Sequence, residues 1–457
     1  MEAPAPADVP ADVQRILETL WSNGHAAYLV GGGVRDSLLG RKVTDWDIAT
    51  DTLPERTLTL FPGSDYKNRF GTVTVPAEPA VAEVTTFRRD HRYADHRRPD
   101  AVTFTDKLDE DLARRDFTVN AIAWGRAASE PDARWVDPTA GMADLGAGIL
   151  RAVGDPNVRF DEDALRLLRA ARLAAQLGFE IEPRTRAAMA ATAETARWVS
   201  SERIGGELRK MIVTDPPSRA FAILAETGVL DHSMPELAAQ RGVPQDKITG
   251  HDLWGHSMAT LDAAAAVDHD NQLLRLACLL HDIGKPPTFA DGHFIGHDEE
   301  GAKMAEAMLT RMAYPRREIT EVATLIRNHM FSYEPRWSSA AVRRFIRRIG
   351  RDLVDDLIKL RRADNVGSGL PPEAGHLDEL SSRVAEELKA GSPLTLRELA
   401  VDGNDLVNGL GLKPGPKVGE LLERLLGSVI ADPTRNTREQ LLAEAKTWAG
   451  SEDLVAQ

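Results

Sequence analysis

At 457 residues, 42% of them hydrophobic and 28% charged, the chain is long enough for two to four folding units and has no composition that favours disorder. Asp and Glu total 70 against 56 Lys and Arg, and the net charge of −14 excludes a uniformly basic nucleic-acid coat, leaving only local basic patches. The single cysteine, Cys278, excludes a disulfide scaffold and a multi-thiolate zinc site and fits a reducing cytosol, so a cytoplasmic location is expected.

Residues 1–10 are rich in Ala and Pro and read as a frayed end; with Glu2, Asp8 and Asp12 nearby, the basic segment of a secretory signal is missing. Residues 12–21 predict a short amphipathic helix. Residues 26–30 then Gly31, Gly32 and Gly33 predict a strand, a glycine turn and a helix over 34–39. Residues 46–49 and 72–75 read as strands, and 81–87 as a Val/Thr-rich run after a turn at Pro79. Residues 119–124 read as either a strand or the end of a helix. From Asp161 the texture changes. A strong helical period runs over 161–177 and helical patterns dominate to the end. Pro/Gly breaks interrupt them near Asp215-Pro216-Pro217, Gly242-Val243-Pro244, residues 367–372 and Ser392-Pro393. No apolar run approaches the ~18 residues of a membrane span. The expected class is α+β. An N-terminal helix within 1–20 precedes a small mixed-sheet head over 21–150. A long all-helical body then divides into a neck, 151–245, a middle domain, 246–366, and a tail, 367–457.

Glycines between a strand and a helix let backbone N–H groups approach phosphate, and the helix dipole favours the negative charge. Gly32 and, at the helix start, Arg35 are candidates for such contacts, although a glycine cluster after a strand is also a common tight turn. Ten residues after Arg35 come Asp45-Trp46-Asp47. Residues i and i+2 on a strand share a face. Two carboxylates side by side repel unless a cation lies between them, and hard oxygen ligands suit Mg²⁺ shared with substrate phosphates. A solvated turn is the competing reading. Glu83, on the 81–87 run, is a candidate third carboxylate or an exposed strand residue.

Gly31-Gly32-Gly33-Val34-Arg35-Asp36 followed by Asp45-Trp46-Asp47 resembles the start of the polymerase-beta-type nucleotidyltransferase head, and in particular that of bacterial class II CCA-adding tRNA nucleotidyltransferases. Thr86-Phe87-Arg88-Arg89-Asp90, Arg97-Arg98-Pro99-Asp100, Leu112-Ala113-Arg114-Arg115-Asp116-Phe117-Thr118-Val119-Asn120-Ala121 and the stretch from Phe160-Asp161-Glu162-Asp163 to Arg172 resemble the same family. The resemblance implies two metals on Asp45 and Asp47. It also implies attack of an RNA 3′ hydroxyl on the α-phosphate of CTP or ATP, with pyrophosphate leaving. Bacterial poly(A) polymerases share the head.

Asp163, Arg166, Arg169 and Arg172 recur every three residues, which on one helix gives a slowly spiralling charged stripe, with Leu165, Leu168 and Leu173 free to pack inward. A solvated face with a local Asp163–Arg166 pair is the bland reading. The resemblance implies that Asp163 and Arg166 read the Watson–Crick edge of CTP or ATP. It sets Arg169 and Arg172 towards the nucleotide, Arg115 on the triphosphate, and Arg114 and Asp116 as structural ties between head and neck.

Two local basic clusters qualify as RNA contacts. One has five arginines and two histidines between Arg88 and Arg98; the other has six arginines and no acid between Arg336 and Arg351. Ordinary solvated charge is the alternative for each. Asn404-Asp405-Leu406 and Gly411-Leu412-Lys413-Pro414-Gly415-Pro416-Lys417 resemble the family's tail, where a helix N-terminus is set to hold a tRNA phosphate; a plain helix cap is the competing view.

Seven of the twelve histidines lie between His251 and His329, which concentrates ligand chemistry there. His281-Asp282-Ile283-Gly284-Lys285 follows an apolar helix. With His256 before it and Asp364 after it, the order resembles HD-type phosphohydrolases. That resemblance implies a divalent metal of unspecified identity on His256, His281, Asp282 and Asp364, with His297 and His329 as candidates for a second metal. The expected function is template-independent addition and repair of the 3′ CCA of tRNA, with tRNA, CTP and ATP as partners and Mg²⁺ in the head. The rivals are a poly(A) polymerase and an HD phosphohydrolase with an RNA-binding head.

Overall fold

The computed structural model describes residues 6, 9–68, 70–78, 81–91 and 101–451, and these form two compact units that divide at Ala238/Ala239. The first unit holds a mixed sheet and a helical neck, and the second is helical throughout, in agreement with the α+β expectation.

In the first unit, α1 (Ala11–Ser22) buries Val13, Ile16, Leu17 and Leu20, one apolar stripe at helical spacing, and packs on β1 (Ala27–Val30). The chain continues through α2 (Gly31–Leu38), β2 (Trp46–Thr50), α3 (Pro54–Leu60), β3 (Asp65–Asn68), β4 (Thr72–Pro76) and β5 (Val81–Thr86). A separate hairpin, β6 (Arg88–His91) and β7 (Ala101–Phe104), is followed by α4 (Leu108–Ala113), β8 (Ala123–Arg126) and β9 (Arg134–Val136). The sheet order is β3-β4-β5-β2-β1-β8-β9, with β2 and β5 parallel and the other neighbours antiparallel. β1 is therefore central and buried along its length, as its apolar run requires. Tyr28 and Val30 join Ala49, Phe87, Leu112 and Ala123 in one core cluster, while Leu29 is buried on the opposite face.

Three local readings change. The glycines belong to the first turn of α2 rather than to a separate turn before a helix over 34–39. Residues 119–124 are neither one strand nor a helix end. A 3₁₀ turn over Thr118–Asn120 leads into β8. The 161–177 helix is two helices, α6 (Pro156–Glu162) and α7 (Leu165–Leu177), and Asp163 lies in the extended joint between them with φ −144° and ψ 101°. Asp163 thus falls outside the three-residue stripe, although Leu168 and Leu173 do pack inward.

In the second unit, the helix Leu253–Val267 packs on Gln272–Leu280 and Val354–Gly367, and His297–Arg311 packs on Arg316–Asn328. Cys278 is buried and free. Among the described residues no helix is long and apolar enough to cross a membrane.

The basic cluster between Arg336 and Arg351 is largely paired within the fold. The helix Ser339–Ile349 does bury Val342, Phe345, Ile346 and Ile349. On that helix Arg343 meets Glu387 and Arg347 meets Glu423, and beyond it Arg351 meets Glu398, acids far along the chain, while Arg336 meets Glu334. Arg343 is also buried and donates to the carbonyls of Ile430 and Ala431, closing the helix Pro416–Ala431. Most of this patch is internal bonding. Of the first basic cluster, residues 92–98 lie outside the described residues; Arg88 donates to the Phe70 carbonyl and Arg89 pairs with Glu110. In the tail, Asp405 closes a capping box with Asp402, which is the plain cap reading for that residue.

Candidate functional site

The head site is built where β1 ends and, beside it, β2 and β5 begin. Register puts Val30 opposite Asp47 on β2, and Asp47 opposite Glu83 on β5. Asp45, just before β2, lies one pleat before Asp47, so three carboxylates converge at the N-terminal ends of β2 and β5. Burial pushes the Asp47 carboxyl above its ordinary pKa; Glu83 and Asp45 push it further, and the nearby Arg115 opposes. Repulsion of that kind is what a divalent cation relieves. Glu83 is paired with Lys67 in this structure.

The glycine turn fits closely around these acids. Gly31 has φ +77°, and a Cβ there would lie 2.8 Å from Asp47 Oδ2 and 3.3 Å from Arg115 Nη1. A Cβ on Gly33 would lie 2.7 Å from the Asp45 carbonyl oxygen. Arg35 is buried, donating to Asn120 Oδ1 at 2.7 Å and to both carboxylate oxygens of Asp36 at 2.9 Å. Arg115 donates to Asp111 at 3.1 Å, and its buried Nε has no hydrogen-bond partner.

A cleft of about 860 Å³ opens over this edge, lined by Gly32, Gly33, Arg35, Asp45, Asp47 and Glu83 from the head and by Arg169, Arg172, Gln176 and Lys210 from the neck. Arg169 grips Asp116 through Nε at 2.8 Å, and Arg172 grips Glu207. The cleft lining does not include Asp163 or Arg166. Asp163 accepts from both arms of Arg203, and Arg166 donates to Glu162 and to the carbonyls of Arg159 and Arg114. Arg114 pairs with Asp111 and Asp116 with Arg169, so Asp116 does tie head to neck.

Asn120, Lys210, Gln176 and Arg203 escaped the sequence reading. Asn120 had a signal, since it follows Asp116 by four residues and donates to it at 3.0 Å. Lys210 and Arg203 had none, because only the fold brings the helix Ser201–Met211 to the site.

The second unit holds a compact cluster. His256 comes from the helix Leu253–Val267, His281 and Asp282 follow Gln272–Leu280, and Asp364 sits on Val354–Gly367. His256 Nε2 lies 3.1 Å from His281 Nε2, 3.4 Å from Asp282 and 3.2 Å from Asp364. On its other side, Asp282 Oδ1 is 3.6 Å from Nε2 of both His297 and His329. His281, His297 and His329 each turn Nδ1 to a backbone carbonyl three residues earlier, at 2.7, 2.7 and 2.6 Å. An Nδ1–H donated there leaves Nε2 as a lone pair aimed into the cluster, the tautomer a metal requires. Asp282 Oδ1, His297 Nε2 and His329 Nε2 are buried with no hydrogen-bond partner, and two groups, His256-His281-Asp282 and Asp282-His297-His329, have ligand atoms within 4.8 Å of one another. Such orphaned atoms are costly unless a cation takes them up. Burial lowers the pKa of His281 and His297, keeping their rings neutral. Burial also opposes a proton on His256, but Asp282 and Asp364 outweigh it and raise that group.

The family "Poly A polymerase head domain" matches residues 27–151, "Probable RNA and SrmB- binding site of polymerase A" matches 178–241, and "HD domain" matches 253–368. The chain is 33% identical to a CCA-adding enzyme of Geobacillus thermodenitrificans over 94% of each chain, and 34% identical to one of a Geobacillus species over 93% of this chain and 94% of the relative. The crystal structure of the Bacillus stearothermophilus CCA-adding enzyme in complex with CTP superposes with a TM-score of 0.73 at 28% identity, covering 97% of this chain and 98% of that one.

Proposed function

The chain belongs to the CCA-adding enzymes, and on that premise we propose that it completes and repairs the 3′-terminal CCA of tRNA from CTP and ATP, without a nucleic-acid template and with release of pyrophosphate. The observation that carries this reading is the convergence of Asp45, Asp47 and Glu83 on a cleft walled by arginines. We assign the head to residues 21–150, the neck to 151–245, the HD domain to 246–366 and the tail to 367–457.

Asp45 and Asp47 would hold Mg²⁺, with Glu83 adjoining once it leaves Lys67. Two bound Mg²⁺ would supply a lowered hydroxyl pKa and charge stabilisation at the α-phosphate. The backbone N–H groups at Gly32 and Gly33 open α2 and face the triphosphate, and Arg35, Arg115, Arg169 and Arg172 add positive charge around it. The RNA 3′ oxygen bonds to the α-phosphorus as the bond to pyrophosphate breaks. Asp163 and Arg166 read the base edge. Arg166 spends three of its five N–H donors on Glu162 and two carbonyls, so two remain for a base. Asp163 Oδ1 accepts from Arg203 and from the Leu165 N–H, and Oδ2 accepts from Arg203 and keeps a lone pair for the base.

His256, His281, Asp282 and Asp364 would hold one divalent cation, with Asp282, His297 and His329 suited to a second. A cation bound there would polarise a phosphoester and lower the pKa of a water. The cluster therefore supports a second activity, phosphoester hydrolysis, in which water adds to phosphorus and the ester oxygen leaves with a proton.

The deciding experiment is extension of tRNA lacking its 3′ end, with each nucleotide supplied separately and together. Addition that stops after C, C and A carries the reading; unlimited addition, or addition of ATP alone, points to poly(A) synthesis.

A further inference from the structure

The helix Ser201–Met211 packs on α7 and buries Ile204, Leu208 and Met211 at helical spacing, with Glu207 among them. A carboxylate on an otherwise apolar face is costly unless it is paired. Glu207 is 4% exposed, and its partner is Arg172 on α7, itself buried, which donates from Nε to Glu207 Oε2. Gln176, four residues further along α7, accepts from Arg172 Nη1 at 2.8 Å. Among the described residues Arg172 thus spends two of its five N–H donors on the protein, and it lines the head cleft with three left. Glu207 itself is absent from the cleft lining.

Glu207 also acts on a second cation. Arg169 precedes Arg172 by three residues on α7 and lines the same cleft, and neighbouring guanidiniums repel. Burial lowers the Arg172 guanidinium from its ordinary pKa; Glu207 opposes that shift and Arg169 deepens it. Asp116 raises Arg169 above its ordinary value, burial opposes, and Glu207 adds to the rise. Two acids behind the arginines therefore let both stand together on the cleft wall. Lys210, on the same helix and also on the cleft, stands 4.0 Å from Glu207, the outer limit of an ion pair, so Arg172 is the side chain that Glu207 grips.

We propose that Glu207 is a positioning residue for nucleotide addition, fixing the fork of Arg172 so that its remaining donors meet the phosphates of the incoming nucleotide. This rests on the reading of Arg172 as a nucleotide contact. CTP and ATP carry the same triphosphate, so the contribution of Glu207 is the same for both. Arg203, four residues earlier on the same helix, holds Asp163 instead. Neighbouring residues of one helix thus serve phosphate binding and base choice separately.

Single-turnover addition by the full chain, of CTP to tRNA lacking its 3′ end and of ATP to tRNA ending in CC, separates nucleotide affinity from the rate of the chemical step. Glu207→Gln keeps the shape and an acceptor for Arg172 Nε but removes the charge. It is expected to weaken CTP and ATP by the same factor, about tenfold, with the maximal rate and the exclusion of UTP and GTP nearly unchanged. Arg172→Met is expected to weaken both nucleotides at least as much, and Glu207→Gln added to Arg172→Met to weaken them no further. A purely structural Glu207 predicts otherwise. A lower melting temperature with unchanged affinity, losses that add in the double variant, or unequal effects on CTP and ATP would each overturn the assignment. If Glu207→Gln does not fold, Glu207→Asp, one methylene short, reads the same effect in smaller measure, and unchanged affinity there is equally fatal. Failure of the underlying reading has a separate signature: Arg172→Met would bind both nucleotides as tightly as the unmodified protein.

Discussion

Arg203 donates to Asp163 through both arms of its guanidinium, at 3.0 and 2.7 Å, and so holds the joint between α6 and α7 to the helix Ser201–Met211. A fork-to-carboxylate pair fixes orientation as well as distance. The carboxylate proposed to read the incoming base is thereby aimed by a residue 40 positions away.

Arg203→Ala should loosen nucleotide choice more than it slows addition of the best nucleotide. Asp163→Ala and Arg166→Ala should do the same directly, with discrimination falling by about 1–3 kcal/mol. Incorporation of UTP and GTP into tRNA, measured against CTP and ATP, reads the effect. If both remain excluded in all three variants, Asp163 and Arg166 are a structural joint only.

Asp45→Ala or Asp47→Ala should reduce nucleotide addition by several kcal/mol of barrier, at least a thousandfold, with folding intact. Single-turnover extension of tRNA across a Mg²⁺ titration measures this. Near-normal turnover in either variant removes the metal assignment.

Gly31→Ala should impair addition although no functional group is lost. The added Cβ would meet Asp47 Oδ2 at 2.8 Å, and the φ of +77° disfavours any L side chain. The expected pattern is a large fall in kcat with a modest fall in melting temperature, and full activity would show the turn to be slack.

Asp116 gives a pH test of the head–neck tie. Burial pushes its carboxyl up, but Arg169 and Asn120 outweigh this and hold it well below the ordinary range. A depressed carboxyl contributes stability that is present above its unfolded pKa and is lost as pH falls through the folded one. Asp116→Asn should therefore destabilise the protein by about 1–3 kcal/mol at neutral pH and by progressively less in acid. Thermal melts from pH 7 down to about 3 follow the gap between the two proteins; a gap that does not narrow contradicts the ion pair's role.

His281→Ala or Asp282→Ala should empty the second-unit site of divalent metal and end phosphoester hydrolysis while sparing CTP and ATP addition. Metal analysis and phosphate release with Mg²⁺, Mn²⁺, Co²⁺ and Ni²⁺ in turn check both halves. Loss of nucleotide addition in a well-folded variant would break the division into two sites.

Much of both sites was legible from local order. A strand, three glycines and two aspartates two residues apart are near neighbours in the chain, so backbone geometry alone brings them together. The His-Asp dipeptide after an apolar helix is equally local, whereas the outlying His256 and Asp364 were legible only through the resemblance to HD-type phosphohydrolases. The sequence offered Glu83 only as a candidate third carboxylate or an exposed strand residue; the register that sets it beside Asp47 came from the sheet order.

By itself the sequence determined most of the strands and helices with a strong apolar period, though not the break at Asp163, and which residue types stand at the glycine turn, the paired aspartates and the HD dipeptide. Only the tertiary structure decided what the arginines do. Spacing along a helix says that Arg166, Arg169 and Arg172, or Arg343 and Arg347, recur on neighbouring faces. It does not say whether each meets solvent, a phosphate or a carboxylate. Their partners come from across the fold, Asp116 for Arg169, Glu207 for Arg172 and Glu387 for Arg343. A charge takes whichever opposite group the packed backbone delivers, and long-range packing, rather than local spacing, makes that delivery.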